Sequence, residues 1–283
     1  VAYKEREMFL AVYAGPPTVF DVQRIPGDQG CVGPEAVVDI GGAHIFRGAD
    51  NFWLFDGSRP IPIANGAVQR WFIDNVSAAY QYRTIASYDR NNGLVWFFYP
   101  SSSSGTGQPD AAIVYHLATK RWGRANRTIE AAMNYVNGGV TWDTLNTIAT
   151  TWDTLPNQPW DSQAWQTSGR SLAVFDTSHN LKTLTGGGEN SSLTTGDIGD
   201  DDAVSFVQQT RLRFYTAPTS ATVAGTINTN PGETAVVAGS GTMMTGGKFP
   251  IRQTGRWHRF AYQFVGNQEV AAHGVMAAAG GGR

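Results

Sequence analysis

Tyr80 to Trp122 reads YQYRTIASYDRNNGLVWFFYPSSSSGTGQPDAAIVYHLATKRW, and the spacing of its apolar residues decides the fold class. Leu94, Trp96 and Phe98 share one face of an extended chain while Val95, Phe97 and Tyr99 share the other. That pattern suits a strand covered on both sides and not an amphipathic helix. Thr84 to Tyr88 precedes this strand across the turn Asp89 to Gly93. Ala111 to His116 follows across the polar loop Pro100 to Asp110, and a short segment ends on Trp122. Joined this way, the segments form an antiparallel meander of three or four strands, as in one blade of a propeller or one quarter of a sandwich.

Similar units lie on either side. Ala36 to Ile40, His44 to Arg47 and Phe52 to Phe55 are separated by Gly41-Gly42 and by the turn Gly48 to Asn51, too closely for crossover helices. Further upstream, Met8 to Tyr13 is broken by Gly15, Pro16 and Pro17 before Val19 to Ile25. Val68 to Val76, with Trp71 and Phe72, reads as a single helical excursion or a bent connection. Downstream, Ile129 to Val136, Val140 to Trp142 and the hairpin Ser171 to Asp176 with Asn180 to Leu184 are further strands. Trp257 to Val265 alternates strictly, with His258, Phe260, Tyr262 and Phe264 on one face and Trp257, Arg259, Ala261 and Gln263 on the other. Gly266-Asn267 then turns into Val270 to Met276.

These readings give an all-β chain of antiparallel meanders, β-propeller-like, either incomplete or carrying a separate terminal β region. Residues 1–184 hold the blades, with a Trp-Asp turn repeat at 141–165 (TWDTL at Thr141 and Thr151, PWDSQAW at Pro159). Residues 185–202 form an exposed acidic Gly/Ser/Thr-rich loop, and residues 203–283 a closing β region.

Composition agrees with many strands and tight turns: 33 of 283 residues are Gly, 12% are aromatic and only 16% are charged, against about 25% charged in ordinary domains. The net charge of −2 and scattered Lys and Arg provide no basic patch for duplex binding. Cys31 is the only cysteine, which excludes an intrachain disulfide and a cysteine metal cluster and suits an intracellularly made protein. No apolar run is long enough for a membrane span, no conventional signal peptide is visible, and the opening Val1 fits a processed or truncated chain or a non-standard start.

The chemistry-bearing residues read as structural. Asp143, Asp153 and Asp161 are the carboxylates a glycosidase would need in pairs, but their shared Trp-Asp setting is that of one repeated capped turn. The cluster Asp197, Asp200, Asp201 and Asp202 offers oxygen ligands to calcium without the spacing of a helix–loop–helix site, and reads as a solvated loop. His44, His116, His179, His258 and His273 have no metal-ligand spacing. Gly186-Gly187-Gly188 leads into no helix, and the Ser101 to Ser104 run, in a flexible polar loop, lacks a nucleophile elbow. The acceptor patterns at Asn126 and Asn190 lack a secretory context. Trp96, Trp122 and Trp257 read as packing residues and not as stacking platforms. The sequence thus names no catalytic residue, cofactor or metal ligand and reads as non-enzymatic.

Several stretches together resemble the tail nozzle proteins of short-tailed bacteriophages, also called tail tubular protein B or packaged-DNA-stabilising proteins. They are Gly33-Pro34 through His44-Ile45-Phe46, Asn51 to Gly57, Asn92 to Tyr99, Ile113 to His116 with Lys120-Arg121-Trp122, the TWDTL repeats, and Gly255 to Phe260 through Gly274-Val275. The resemblance is one of strands and turns over most of the chain, without a unique catalytic motif. It implies a propeller-like portion in a sixfold homo-oligomeric ring of the virion tail, next to adaptor or portal-side tail proteins. Such a nozzle or head–tail connector passes double-stranded DNA without reading its sequence during ejection. This chain is shorter than that family's members, so blades that would close a propeller are missing or supplied otherwise. A near-neutral lumen would let DNA slide, because a basic one gains affinity by counterion release. The loops 100–110 and 185–202 are the segments to line or gate such a channel or to meet neighbours. Two other readings stand beside it, a carbohydrate- or receptor-binding propeller module of a phage tip and a polysaccharide-degrading enzyme.

Overall fold

The computed structural model describes residues 1–136, 151, 170–184, 190–229 and 234–279. Asp143, Asp153 and Asp161, the strand expected at Val140 to Trp142 and nearly all of the Trp-Asp repeat lie outside these residues. The chain divides into two compact units, Val1–Thr185 and Gly186–Arg283.

In the first unit, β1 (Ala2–Tyr3), β2 (Met8–Tyr13) and β3 (Phe20–Arg24) form a three-stranded antiparallel sheet. A four-stranded meander follows, made of β4 (Val37–Asp39), β5 (His44–Arg47), β6 (Phe52–Phe55) and β7 (Pro60–Pro62). The β4–β5 turn needs Gly41 and Gly42, whose φ angles are 96° and 97°. The Asp39 carboxylate accepts both of their N–H groups, at 2.8 and 3.2 Å, and these bonds hold its pKa below the usual carboxylate range.

Helix α1 (Gly66–Asn75) starts where Asn65 Oδ1 accepts the Val68 N–H at 2.9 Å, an N-cap that satisfies one of the four orphan donors. Next come β8 (Ile85–Asp89), β9 (Leu94–Tyr99), β10 (Ala111–His116) and β11 (Arg121–Ala125), a meander in the order β11-β10-β9-β8. β12 (Ala131–Val136), β13 (Arg170–Phe175) and β14 (Leu181–Thr183) make a further sheet.

Three cores hold these layers together. Val95, Phe97 and Tyr99 of β9 pack with Ile45 and Phe52 of the preceding meander and with Phe72 and Val76 at the helix. Phe98, on the opposite face of β9, packs with Ile85, Ala112, Ile129, Leu172 and Val174. Phe46 and Phe55, on the other face of the β4–β7 sheet, join Met8, Ile25 and Cys31. Each central sheet is therefore covered twice, as the two-faced apolar run at Leu94 to Tyr99 requires.

The second unit contains β15 (Ser191–Thr194), β16 (Ile198–Gly199), β17 (Ser205–Thr216), β18 (Ser220–Asn228), β19 (Val236–Thr242), β20 (Lys248–Gly255), β21 (Trp257–Val265) and β22 (Glu269–Ala279). One sheet runs β15-β21-β18-β19, with β16 also on β21, and the other runs β20-β17-β22. Their apolar faces meet in one core, with Val207, Leu212, Phe249 and Ile251 from one sheet against Val223, Phe260, Tyr262 and Phe264 from the other. The alternation read in Trp257 to Val265 is the pattern of burial observed.

Two expectations are corrected. The propeller is not found: the described strands form six separate open sheets of three to five strands, and none closes on itself. Short turns and two-faced burial are common to a propeller blade and to a stack of open sheets, and closure is a long-range property that local alternation does not carry. The segment 185–202 is not a loop throughout, since Ser191–Thr194 and Ile198–Gly199 pair with β21. Its polar, Gly-rich composition hides strands that cover no core, for both are largely exposed.

Two substitutions test this packing. Phe97→Ala removes a fully buried ring in contact with Phe52 at 4.8 Å; it should cost about 3–5 kcal/mol, read from urea unfolding of the first unit with exchange protection of β9 amides. A Cβ on Gly225 would lie 2.0 Å from Gln253 Oε1 and 2.6 Å from Ile251 Cδ1. Gly225→Ala should therefore destabilise the second unit by about 1–3 kcal/mol, seen as a lowered melting temperature.

Candidate ligand-binding cleft beside the helix

The site is built on the end of α1. Phe72 turns inward, with its ring 4.8 Å from Phe52 and 4.7 Å from Tyr99, which leaves Trp71 and Asn75 on the flank of the helix. The Asn75 side chain donates to Trp71 O at 2.7 Å, fixing the two relative to each other. Where the helix stops, Val76 forms an isolated bridge with Ser101, and the Ser102 N–H donates to Asn75 O at 2.8 Å. The loop after β9 is thereby joined to the helix end.

That loop is the Pro100 to Asp110 segment, and its Ser101 to Ser104 run is held, where the composition suggested flexibility. Asp110 accepts the Ser101 N–H and the Ser101 hydroxyl, both at 2.7 Å. The Ser101 and Ser103 hydroxyls are 2.8 Å apart, Ser104 Oγ donates to Gln108 O at 3.0 Å, and Arg83 Nη1 donates to Thr106 O at 3.1 Å. Gly107, at φ 71°, lies so close to Tyr80 that a Cβ would meet its ring at 2.6 Å.

Two hollows open beside Trp71. One, of about 290 Å³, is polar and is bounded by Asn75, the Tyr99 edge, the serine run, Asp110, Arg124 and Asn126. Burial pushes the Tyr99 phenol pKa up, opposed by nearby Arg124, so at neutral pH the group is a hydrogen-bond donor. The other, of about 370 Å³, is an apolar slot between Trp71, Val68, Ile113 and Trp122, with Gly123 and Arg124 from β11. Arg124 borders both. Its guanidinium lies 5.6 Å from the centroid of the Trp71 ring and donates to Asn126 Oδ1 at 3.3 Å from Nε and 3.2 Å from Nη2.

A larger hollow of about 700 Å³ lies between Tyr3, Cys31 to Pro34 and the 78–82 segment. Its tyrosine and thiol are already engaged. Tyr3 Oη bonds His44 Nδ1 at 2.7 Å, and the Cys31 thiol donates to Gly33 O at 3.0 Å.

The residues singled out in the sequence are placed apart. His44 meets Tyr3, His116 Nδ1 accepts the Thr119 N–H at 3.0 Å, and His179 lies against Glu130 at 2.6 Å. Asp197 grips Arg259 through bonds of 2.9 and 2.8 Å, Asp201 accepts the Trp257 indole N–H at 2.8 Å, and Asp200 accepts the Asp202 N–H at 3.1 Å. The acidic cluster is thus tied mainly to β21. Among the described residues no group of three or more His, Cys, Asp or Glu side chains is placed to hold a metal ion. Trp96 stacks on Phe98 at 5.6 Å, and Trp122 lies 4.9 Å from Phe52 and 4.7 Å from Tyr115. Sequence reasoning named Trp96, Trp122 and Trp257 but did not single out Trp71, Arg124 or Gly123 as a site. The usable signal was the helical stretch Val68 to Val76, with Trp71 on it, in a chain otherwise read as β.

In the second unit, His258 is buried between Ser205 Oγ, 2.9 Å from Nε2, and the Gln253 amide, 2.9 Å from Nδ1. Burial lowers its pKa, and that of His273, below the ordinary histidine value. Folding therefore favours the neutral rings, and the unfolded chain binds more protons as pH falls below about 6.5, so stability is lost on that descent. Melting of the second unit should be lower at about pH 5 than at about pH 8, with a smaller difference in His258→Gln.

No family model matches the chain, and no curated protein matches it.

Proposed function

We propose that the chain is a non-enzymatic structural component of a short-tailed phage tail, assembling through contacts between copies into a nozzle or connector ring on the DNA conduit. The sequence resemblance supplies the biological setting. The structural observation in its favour is the β2–β3 hairpin. From Ala11 to Arg24 nearly every residue is exposed, with Tyr13 at 68%, Phe20 at 57% and Val22 at 61%. The pairing Tyr13↔Phe20 and Ala11↔Val22 puts these apolar groups on one face of the ribbon, and the two rings meet edge-on at 6.1 Å. β3 is also a sheet edge with unpaired backbone groups. Such an arm suits insertion against a neighbouring copy, where apolar contact and strand pairing remove both liabilities. A contact between different surfaces of identical copies closes into a ring when its rotation divides the circle, and the resemblance implies six copies. Tail-side partners and unspecific passage of DNA belong to the same reading, with a net charge of −2 compatible with sliding.

Native mass spectrometry and electron microscopy test this reading. The protein should form closed rings, and the double variant Tyr13→Asp with Phe20→Glu should run as a folded monomer with an unchanged circular dichroism spectrum. A wild-type monomer at every concentration, or rings that survive the double variant, would count against it.

A further inference from the structure

We infer that the paired hollows at Trp71 and Arg124 form a binding site for a neutral pyranose oligosaccharide, an inference independent of the ring assembly. A pyranose has apolar C–H faces and a rim of hydroxyls that donate and accept, so its site needs an apolar wall beside closely set groups of both kinds. The apolar wall is the slot between Trp71, Val68, Ile113 and Trp122, of about 370 Å³. The polar side, about 290 Å³, places Asn75, Tyr99, Ser103, Asp110 and Asn126 together. The phenol donates, the carboxylate accepts, and the amides and the hydroxyl do both. Together the hollows fall within the size of small-ligand sites, and a few convergent polar groups beside an apolar wall are the mark of such sites.

Charge favours a neutral ligand. The cleft holds one cation and one carboxylate, Arg124 and Asp110, and among the described residues neither makes an ion pair. An anionic sugar would gain from Arg124 and lose against Asp110. Each Asp110 oxygen already accepts one bond from Ser101, and a carboxylate has further lone pairs for sugar hydroxyls. The groups are also held in place before any ligand arrives, since the serine loop is tied to Asp110 and to the helix end, and Arg124 rests over Trp71 at 5.6 Å. Little ordering is then left for binding to impose. An extended peptide along the β11 edge is less well matched, because the polar groups gather at one end of the slot and not at alternate positions along the strand.

Ala67 permits a clean test. It is exposed in the first turn of α1 and borders the slot one helical turn from Trp71, so Ala67→Phe crowds the slot without entering the core. The probes are chitotriose, cellotriose and maltotriose, measured by saturation-transfer NMR and calorimetry against the full chain. At least one should bind with Kd of about 1 mM or tighter. Ala67→Phe should weaken it about tenfold or more at an unchanged melting temperature, and Arg124→Ala by about tenfold. The inference is overturned if none of the three binds, if Ala67→Phe binds as well as wild type, or if a proline-rich decapeptide and no sugar competes for the slot. Ring formation is read separately by native mass, so failure of either reading leaves the other standing.

Discussion

Strand β9 has no solvent face, and the first unit is arranged around that constraint. Val95, Phe97 and Tyr99 look into one core and Phe98 into another, all at or near zero exposure. Each buried aromatic contributes about 1.5–3 kcal/mol relative to exposure, so leaving either face uncovered would cost a large part of a domain's marginal stability. The β4–β7 meander and α1 cover one face, and the β12–β14 sheet covers the other. From the helix, Phe72 packs between Phe52 and Tyr99 on the first face.

The same packing carries a cost at Arg47, which is 1% exposed, with its guanidinium 5.5 Å from the Phe52 ring and 4.8 Å from Phe72. Its Nε and Nη1 groups have no hydrogen-bond partner. Desolvation lowers its pKa to about 10, opposed by Asp50, so the group stays charged at neutral pH. Cation–π attraction in a dry site is worth about 2 kcal/mol and offsets part of the desolvation. In the second unit the buried His258 is bonded at both ring nitrogens. Gly225 leaves the space that its partner Gln253 occupies. Arg47 and His258 are thus accommodated by different means, aromatic faces for one and hydrogen bonds for the other.

The two proposed sites lie where the layering stops. The β2–β3 ribbon extends past its core, which gives it two uncovered faces and an open edge. The cleft at Trp71 forms where β11, the last strand of its sheet, meets the flank of the only helix longer than a turn among the described residues. One feature exposes apolar surface that suits a second copy. The other sets apolar and polar groups side by side at the scale of a small ligand.

The sequence by itself determined the strongest strands and their faces. Two-faced burial at Leu94 to Tyr99, one-faced burial at Trp257 to Val265 and the glycine turns at Gly41-Gly42 and Gly93 all follow from a period of two and from left-handed backbone that favours glycine. Only the tertiary structure decided which sheets stack, that none among the described strands closes, that Ser191–Thr194 and Ile198–Gly199 join β21, and that Trp71 and Trp122 together border a surface hollow. The physical reason is range. Alternation and turn chemistry act between residues a few positions apart, whereas closure, edge pairing and exposure depend on chain segments tens of residues away, and a polar, Gly-rich segment pairs as readily as an apolar one when a neighbouring strand offers a free edge.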